Sequence, residues 1–155
     1  MKKEKVKKIK KRVEAVVKQL VGIPYVHNGR SYQGVDCWGL IYLFFKELGC
    51  SLPEDDGRHI ACNWYKSEPE RYIIGLKTLG DEVDDFDKLR ILDIPYFRLY
   101  RNIITHSGVM LSNSDVLHVL INKRVRIDSI NRRFLKYNYA GAIRPSGIKP
   151  DDLES

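Results

Sequence analysis

The chain has no long apolar run. No stretch of its 155 residues approaches the roughly 18 consecutive apolar residues that a membrane-spanning helix needs, so no span is expected. No secretory leader is expected either. The N-terminus is basic, but the apolar stretch from Val13 to Val21 is broken by Glu14 and Lys18, and no cleavage site follows. Residence in the cytoplasm at synthesis is the expectation. Cysteine is scarce. Cys37, Cys50 and Cys62 are odd in number and show no Cys-x-x-Cys spacing, which argues against a disulfide framework and against structural zinc. His59 and Cys62 lie close in sequence, yet nothing pairs with them at zinc-finger spacing. The acidic segment from Asp81 to Asp87 lacks the spacing and the glycine of a calcium loop. No metal or cofactor is therefore expected. Charge of one sign is missing from most of the chain. The formal net charge is +7, and residues 1–20, with nine Lys/Arg and two Glu, carry all of it. No aromatic platform or base-reading motif accompanies these lysines, so nucleic acid is not an expected partner.

What is present reads as one domain over 1–155. Residues 1–20 form a basic, amphipathic N-terminal helix. Val6, Ile9, Val13, Val16 or Val17, and Leu20 recur at three- and four-residue spacing, and Gly22 and Pro24 stop it. Asn28-Gly29 and Gly34 mark a loop with positive φ. A second helix, nearly apolar all round, runs from Cys37 to Leu48 and ends at Gly49. Arg58–Tyr65 and Glu70–Leu79 read as further short helices, and 81–87 as an acidic surface segment. From Leu89 the period becomes that of strands: Ile91–Tyr100, with Pro95 indicating an edge or bulge, then Ser107–Leu111, Val116–Ile121, Val125–Ile130 and Tyr137–Arg144. The tail 146–155 reads as frayed. Helices first and a strand meander afterwards give an α+β class with a mostly antiparallel sheet of five to six strands.

Cys37 carries the chemistry. Asp36 is a good N-cap, which makes Cys37 the first helical residue, where the helix dipole and unpaired N–H groups favour a thiolate. A cysteine nucleophile needs a base and a group to orient that base. His106 and His118 lie on adjoining strands, and register decides whether they meet. With Leu111 paired to Val116 across a four-residue loop, His118 faces away from His106. A three-residue loop or a single bulge puts His118 opposite Gly108 or Met110, on the face of His106. With Gly108 opposite, the two are diagonal neighbours roughly 7–8 Å apart at the backbone.

Several stretches together resemble the NlpC-type cell-wall cysteine peptidases, a papain-like family. They are Gly22-Ile-Pro-Tyr-Val-His-Asn-Gly-Arg30, Gly34-Val-Asp-Cys-Trp-Gly-Leu40, Leu48-Gly49 with Leu52-Pro53, His106-Ser-Gly-Val-Met-Leu111 and Val116-Leu-His118. Leu89–Phe97 and Tyr139–Arg144 match the strand before the catalytic histidine and the closing strand. The resemblance covers about residues 10–145. It implies a nucleophile helix packed on the sheet, Cys37 as nucleophile, His106 as base and His118 as orienting residue. Tyr25 and Asp36 match residues beside the nucleophile and, with Trp38, are candidates for substrate or oxyanion contact. Trp38 stands where the best-known members have serine. The Asp-Cys-Trp-Gly-Leu variant resembles the branch found among phage tail-tip assembly proteins, which implies tail proteins as partners and a virion-associated site of action. The resemblance implies hydrolysis of a peptide or γ-D-glutamyl–diamino acid bond in peptidoglycan stem peptides. Two other readings stand beside it: an amidase or acyl transferase using the same Cys-His pair, and a tail-tip structural protein without strong catalysis.

Overall fold

The structure is a computed structural model that describes residues 3–146 and residue 148. The tail expected to fray falls almost wholly outside these residues, as does the side chain of Val6.

Helix α1 (Lys3–Leu20) turns its apolar stripe inward, burying Ile9, Val13, Val16, Val17 and Leu20. Gly22, at φ +97°, ends the helix in the left-handed region. A short hairpin follows, β1 (Arg30–Ser31) paired with β2 (Gly34–Val35). Helix α2 (Cys37–Glu47) is the centre of the core. It buries Leu40, Ile41, Leu43, Phe44 and Phe45, each contributing about 1.5–3 kcal/mol when fully removed from water. Gly49, at φ +88°, closes it. Helices α3 (Trp64–Ser67) and α4 (Arg71–Lys77) come next, then β3 (Gly80–Glu82) and a 3₁₀ turn over Phe86–Lys88.

The second half supplies most of the sheet: β4 (Ile94–Phe97), β5 (His106–Ser107), β6 (Val109–Met110), β7 (Asp115–His118), β8 (Arg126–Ser129), then helix α5 (Arg133–Asn138) and β9 (Tyr139–Pro145). One set of paired strands runs β3-β9-β4-β5 and the other β6-β7-β8. Every strand pairing in both is antiparallel. Gly108 N–H donates to Pro95 C=O (3.1 Å) and Met110 N–H to Asp93 C=O (2.8 Å), which carries β5 and β6 past β4 as one bent strand. The α+β arrangement, with a helix layer on a mostly antiparallel sheet, is the expected one. A second, smaller cluster of Phe97, Met110, Val116, Ile130 and Leu135 lies apart from the main core, with Leu135 coming from α5 and Phe86 of the 3₁₀ turn packed against it.

Two local expectations are corrected, over residues 58–63 and over residues 137–138. Residues 58–63 are not helical, and the carbonyls of the first three are engaged elsewhere. Arg71 takes those of Arg58 (3.1 Å) and His59 (3.0 Å), while His27 (2.9 Å) and Asn28 (3.0 Å) take that of Ile60. Of the two alternatives for Pro95, an edge or a bulge, the structure has the second: the strand is interior, and the ladder shifts register between Tyr96 and Phe97. The acidic segment lies at the surface as expected and begins as strand β3, whose exposed Asp81 and Glu82 suit a sheet edge. Residues 133–138 are helical, so the last strand starts at Tyr139 rather than Tyr137.

In the nucleophile region Asn28 takes positive φ (59°), but Gly29 and Gly34 do not. Their missing Cβ atoms serve close packing instead: a Cβ on Gly29 would meet the Gly34 carbonyl, and one on Gly34 the Val26 side chain. Gly39 follows the same logic, since a Cβ there would collide with the backbone carbonyl of Gly29. Gly39→Ala should therefore destabilise the fold by about 2–3 kcal/mol through overpacking against backbone that cannot yield. Urea unfolding measures this, and an unchanged midpoint would refute it.

Candidate active site

Asp36 and Cys37 stand where the sequence places them. Asp36 is the N-cap of α2, and its carboxylate accepts from Gly39 N–H (2.7 Å), Asn28 N–H (2.9 Å) and Arg30 Nη1 (2.8 Å). One carboxylate thus ties the glycine loop to the first turn of α2, and its oxygens are engaged by the fold. Cys37 is buried, and its thiol donates to the Thr105 carbonyl at 3.6 Å, on the residue just before His106. The expected thiolate does not follow from this geometry. Burial, then the neighbouring Asp36 carboxylate, pushes the thiol up to about 12, against hydrogen bonds from Tyr72 and from the backbone of Ser107 and Trp38. Desolvation thus opposes the helix terminus and favours the protonated thiol.

The two histidines meet. Val109 pairs with Leu117 and Met110 with Val116, while Leu111 N–H donates to Asp115 C=O (2.8 Å). Ser112, Asn113 and Ser114 are left as a three-residue loop. This is the odd connection that puts His118 level with Gly108, and a Cβ on Gly108 would lie 3.1 Å from the Cβ of His118. His106 Nε2 and His118 Nδ1 are 2.9 Å apart, and both rings are buried. Phe97 packs on His106 with centroids 5.5 Å apart.

Asp128 completes the chain, and the sequence reading missed it. Its Oδ2 lies 2.7 Å from His118 Nε2, while Oδ1 accepts from Arg126 (2.9 Å) and Arg132 (3.1 Å). Burial works to raise the Asp128 carboxyl, but the His118 hydrogen bond and the neighbouring positive groups, Arg126 and Arg132 among them, hold it below its ordinary value. A carboxylate only accepts, so His118 Nε2 must carry a hydrogen. A neutral His118 then has a lone pair on Nδ1, and His106 must donate to it from Nε2. This fixes the His106 tautomer and leaves its Nδ1 as a bare lone pair, with no hydrogen bond among the described residues. The strand alternation that brought His118 to His106 could have indicated Asp128, which stands opposite Val116, diagonal to His118, on the same face.

Cys37 and His106 line one cavity of about 430 Å³, whose lining also includes Tyr25, Asp36 and Trp38. Burial, then Cys37 and Asp36, pushes the Tyr25 phenol above its ordinary range. Trp38 donates from Nε1 to the Pro53 carbonyl (2.9 Å) and meets Tyr72 edge-on at 5.9 Å, so it anchors the segment that forms one wall. Tyr72, also unanticipated, places its hydroxyl 2.5 Å from Ser107 Oγ and within hydrogen-bonding reach of the Cys37 thiol. Among the described residues, no group of three or more His, Cys, Asp or Glu is arranged to hold a metal ion.

The buried imidazole has a consequence for acid stability. Burial, then His118, lowers His106 to about 3 from 6.5. The unfolded chain therefore takes up a proton on this residue below about pH 6.5, while the folded chain does so only near pH 3. The neutral ring contributes stability that is present above pH 6.5 and lost on acidification through that window. The stability difference between wild type and His106→Asn should shrink from pH 7 to pH 4 in denaturant titrations. A pH-independent difference would refute the assignment.

Comparison with known proteins bears on the family and the fold. The NlpC/P60 family model matches residues 22–144. Among solved structures, an NlpC/P60 family protein from Bacillus cereus ATCC 10987 superposes with a TM-score of 0.66 at 22% identity, over 88% of this chain and 40% of that one. The chain thus spans less than half the length of that relative. The NlpC/p60 domain of the peptidoglycan hydrolase SagA matches with a TM-score of 0.59 at 16% identity, over 86% of this chain and 97% of that domain. RipD from Mycobacterium tuberculosis, described as a non-catalytic NlpC/p60 domain protein adapted to peptidoglycan binding, matches with a TM-score of 0.54 at 17% identity, over 88% and 96%. No curated protein matches the chain. With four-fifths of its length matched by the family model, the chain belongs to the NlpC/P60 family.

Proposed function

We propose that this chain is a cysteine peptidase that cleaves peptidoglycan stem peptides, with Cys37 as nucleophile, His106 as base, and His118 and Asp128 as positioning residues. The observation that carries the reading is the hydrogen-bond chain from Asp128 through His118 to His106, which leaves His106 Nδ1 as a bare lone pair on a residue that lines the same cavity as Cys37. Each group alone stays neutral. Transfer of the thiol proton to Nδ1 creates opposite charges together, and Asp128 offsets the imidazolium through His118. The sulfur then attacks the scissile carbonyl. The backbone N–H of Cys37 and the Tyr25 hydroxyl stabilise the oxyanion, His106 protonates the leaving amine, and water hydrolyses the thioester. The family resemblance supports a γ-D-glutamyl–diamino acid bond as the one cleaved. The Asp36–Leu40 sequence supports action at a phage tail tip, with tail proteins as partners.

RipD favours a second reading, peptidoglycan binding without cleavage. Purified peptidoglycan separates the two. Wild type should release new amino termini, and Cys37→Ala should release none while remaining folded. Binding without release by the wild type would establish the second reading. Asp128→Asn presents an amide that can donate to His118 and reverse the tautomer of both rings. It should lower kcat by about 10²–10⁴-fold with KM little changed, and ring ¹⁵N shifts should report the tautomer. An unchanged kcat would remove Asp128 from the mechanism.

A further inference from the structure

One wall of the Cys37 cavity is a continuous series of rings. Trp38 meets Tyr72 at 5.9 Å, Tyr72 stacks on Trp64 at 6.0 Å, Trp64 meets Tyr65 at 5.9 Å, and Tyr65 meets Tyr100 at 4.7 Å. Val119, Leu120 and Ile121 also line the cavity, and Ile121 is 68% exposed, an apolar side chain left open to solvent.

The cations in the lining are already engaged. Arg71, whose side chain is 8% exposed, gives its fork to Asp56 (2.6 and 2.7 Å) and also reaches Glu68 (3.3 Å). Arg30, 15% exposed, is held by Asp36 (2.8 Å) and by the carbonyls of Gly29 (2.8 Å) and Glu54 (2.7 Å). His27 is bonded to the Ile60 carbonyl through Nε2. Arg101 lies over the outer Tyr100 ring (5.4 Å) and is not part of the lining. Against these stand the carboxylates of Asp36, Asp55 and Asp56, and Asp55 has no cation within ion-pair distance among the described residues. A carboxylate entering here would lose water, gain no unengaged cation and face a like charge. A carboxamide avoids the charge penalty and can lie on an aromatic face.

This bears on the substrate if the proposed function holds, because the α-carboxyl group of a γ-glutamyl residue lies only a few bonds from the scissile carbonyl. We propose that the cavity selects stem peptides in which that carboxyl group is masked as a carboxamide. Two synthetic peptides test it, L-Ala-γ-D-Glu-L-Lys and L-Ala-γ-D-isoglutaminyl-L-Lys, which differ only in that group. Calorimetric binding to Cys37→Ala should favour the carboxamide by about tenfold or more, wild-type kcat/KM should show the same preference, and Asp55→Asn should narrow the ratio. Equal affinities, tighter binding of the carboxylate, or binding of neither peptide would overturn the inference. A preserved binding preference with no turnover by the wild type would support the inference and overturn the peptidase reading alone.

Discussion

The structure depends on a register. Side chains on a strand alternate faces, so one residue more in the loop after Leu111 would send His118 to the opposite side of the sheet. The His106 hydrogen bond would be lost, and Asp128, which reaches the site only through His118, would lose its connection. The loop is held by its own hydrogen bonds: Ser112 Oγ accepts from Ser114 N–H (3.2 Å) and from Asp115 N–H (3.0 Å). Gly108 is the matching constraint on the facing strand, because a Cβ there would press on the Leu117 carbonyl at 2.6 Å. A serine-rich turn and one glycine thus set the geometry of the buried pair.

A second constraint acts at Asp36. Its carboxylate caps α2, takes the Asn28 amide and pairs with Arg30, so the loop before the nucleophile and the helix after it share one anchor. The same charge raises the thiol next to it. The cap that positions Cys37 therefore also opposes its ionisation, and formation of the reactive sulfur is left to proton transfer within the site. Directionality compensates for the missing resting thiolate. The carboxylate of Asp128 can only accept, and that asymmetry passes through two rings to fix which nitrogen of His106 is bare.

Much of the fold was legible because its signals are local. The α1 stripe, the Asp36 cap and Gly49 act within a few residues of themselves. Cys37, His106 and His118 could be found because strand alternation reduces their meeting to a choice between odd and even loops. Asp128 required the register of a third strand. Tyr72 belongs to a short helix whose position comes from Arg71, Asp56 and Trp38, contacts that span up to 34 residues of sequence and leave no period to read. The helix expected over 58–65 forms only from Trp64 for the same reason: the carbonyls of Arg58, His59 and Ile60 are claimed by distant side chains.

The site divides along these lines. Its strand-borne groups, His106, His118 and Asp128, are fixed by sheet pairing and carry the proton transfer of the proposed mechanism. Its wall is built by the 54–77 segment, held by the Arg71 fork and the Trp38 indole rather than by regular structure. Trp38 belongs to both parts, being the helix residue directly after Cys37 and the anchor of the wall. A Cβ on Gly75 would come within 3.3 Å of that indole, so α4 sits against it closely. An indole at this position changes more than a single contact with substrate. It supports helix α4, which carries Tyr72 to the thiol and begins the row of rings that shapes the cavity. On the proposed function, substrate choice is thus coupled to the residue beside Cys37, while the proton relay is anchored elsewhere in the sheet.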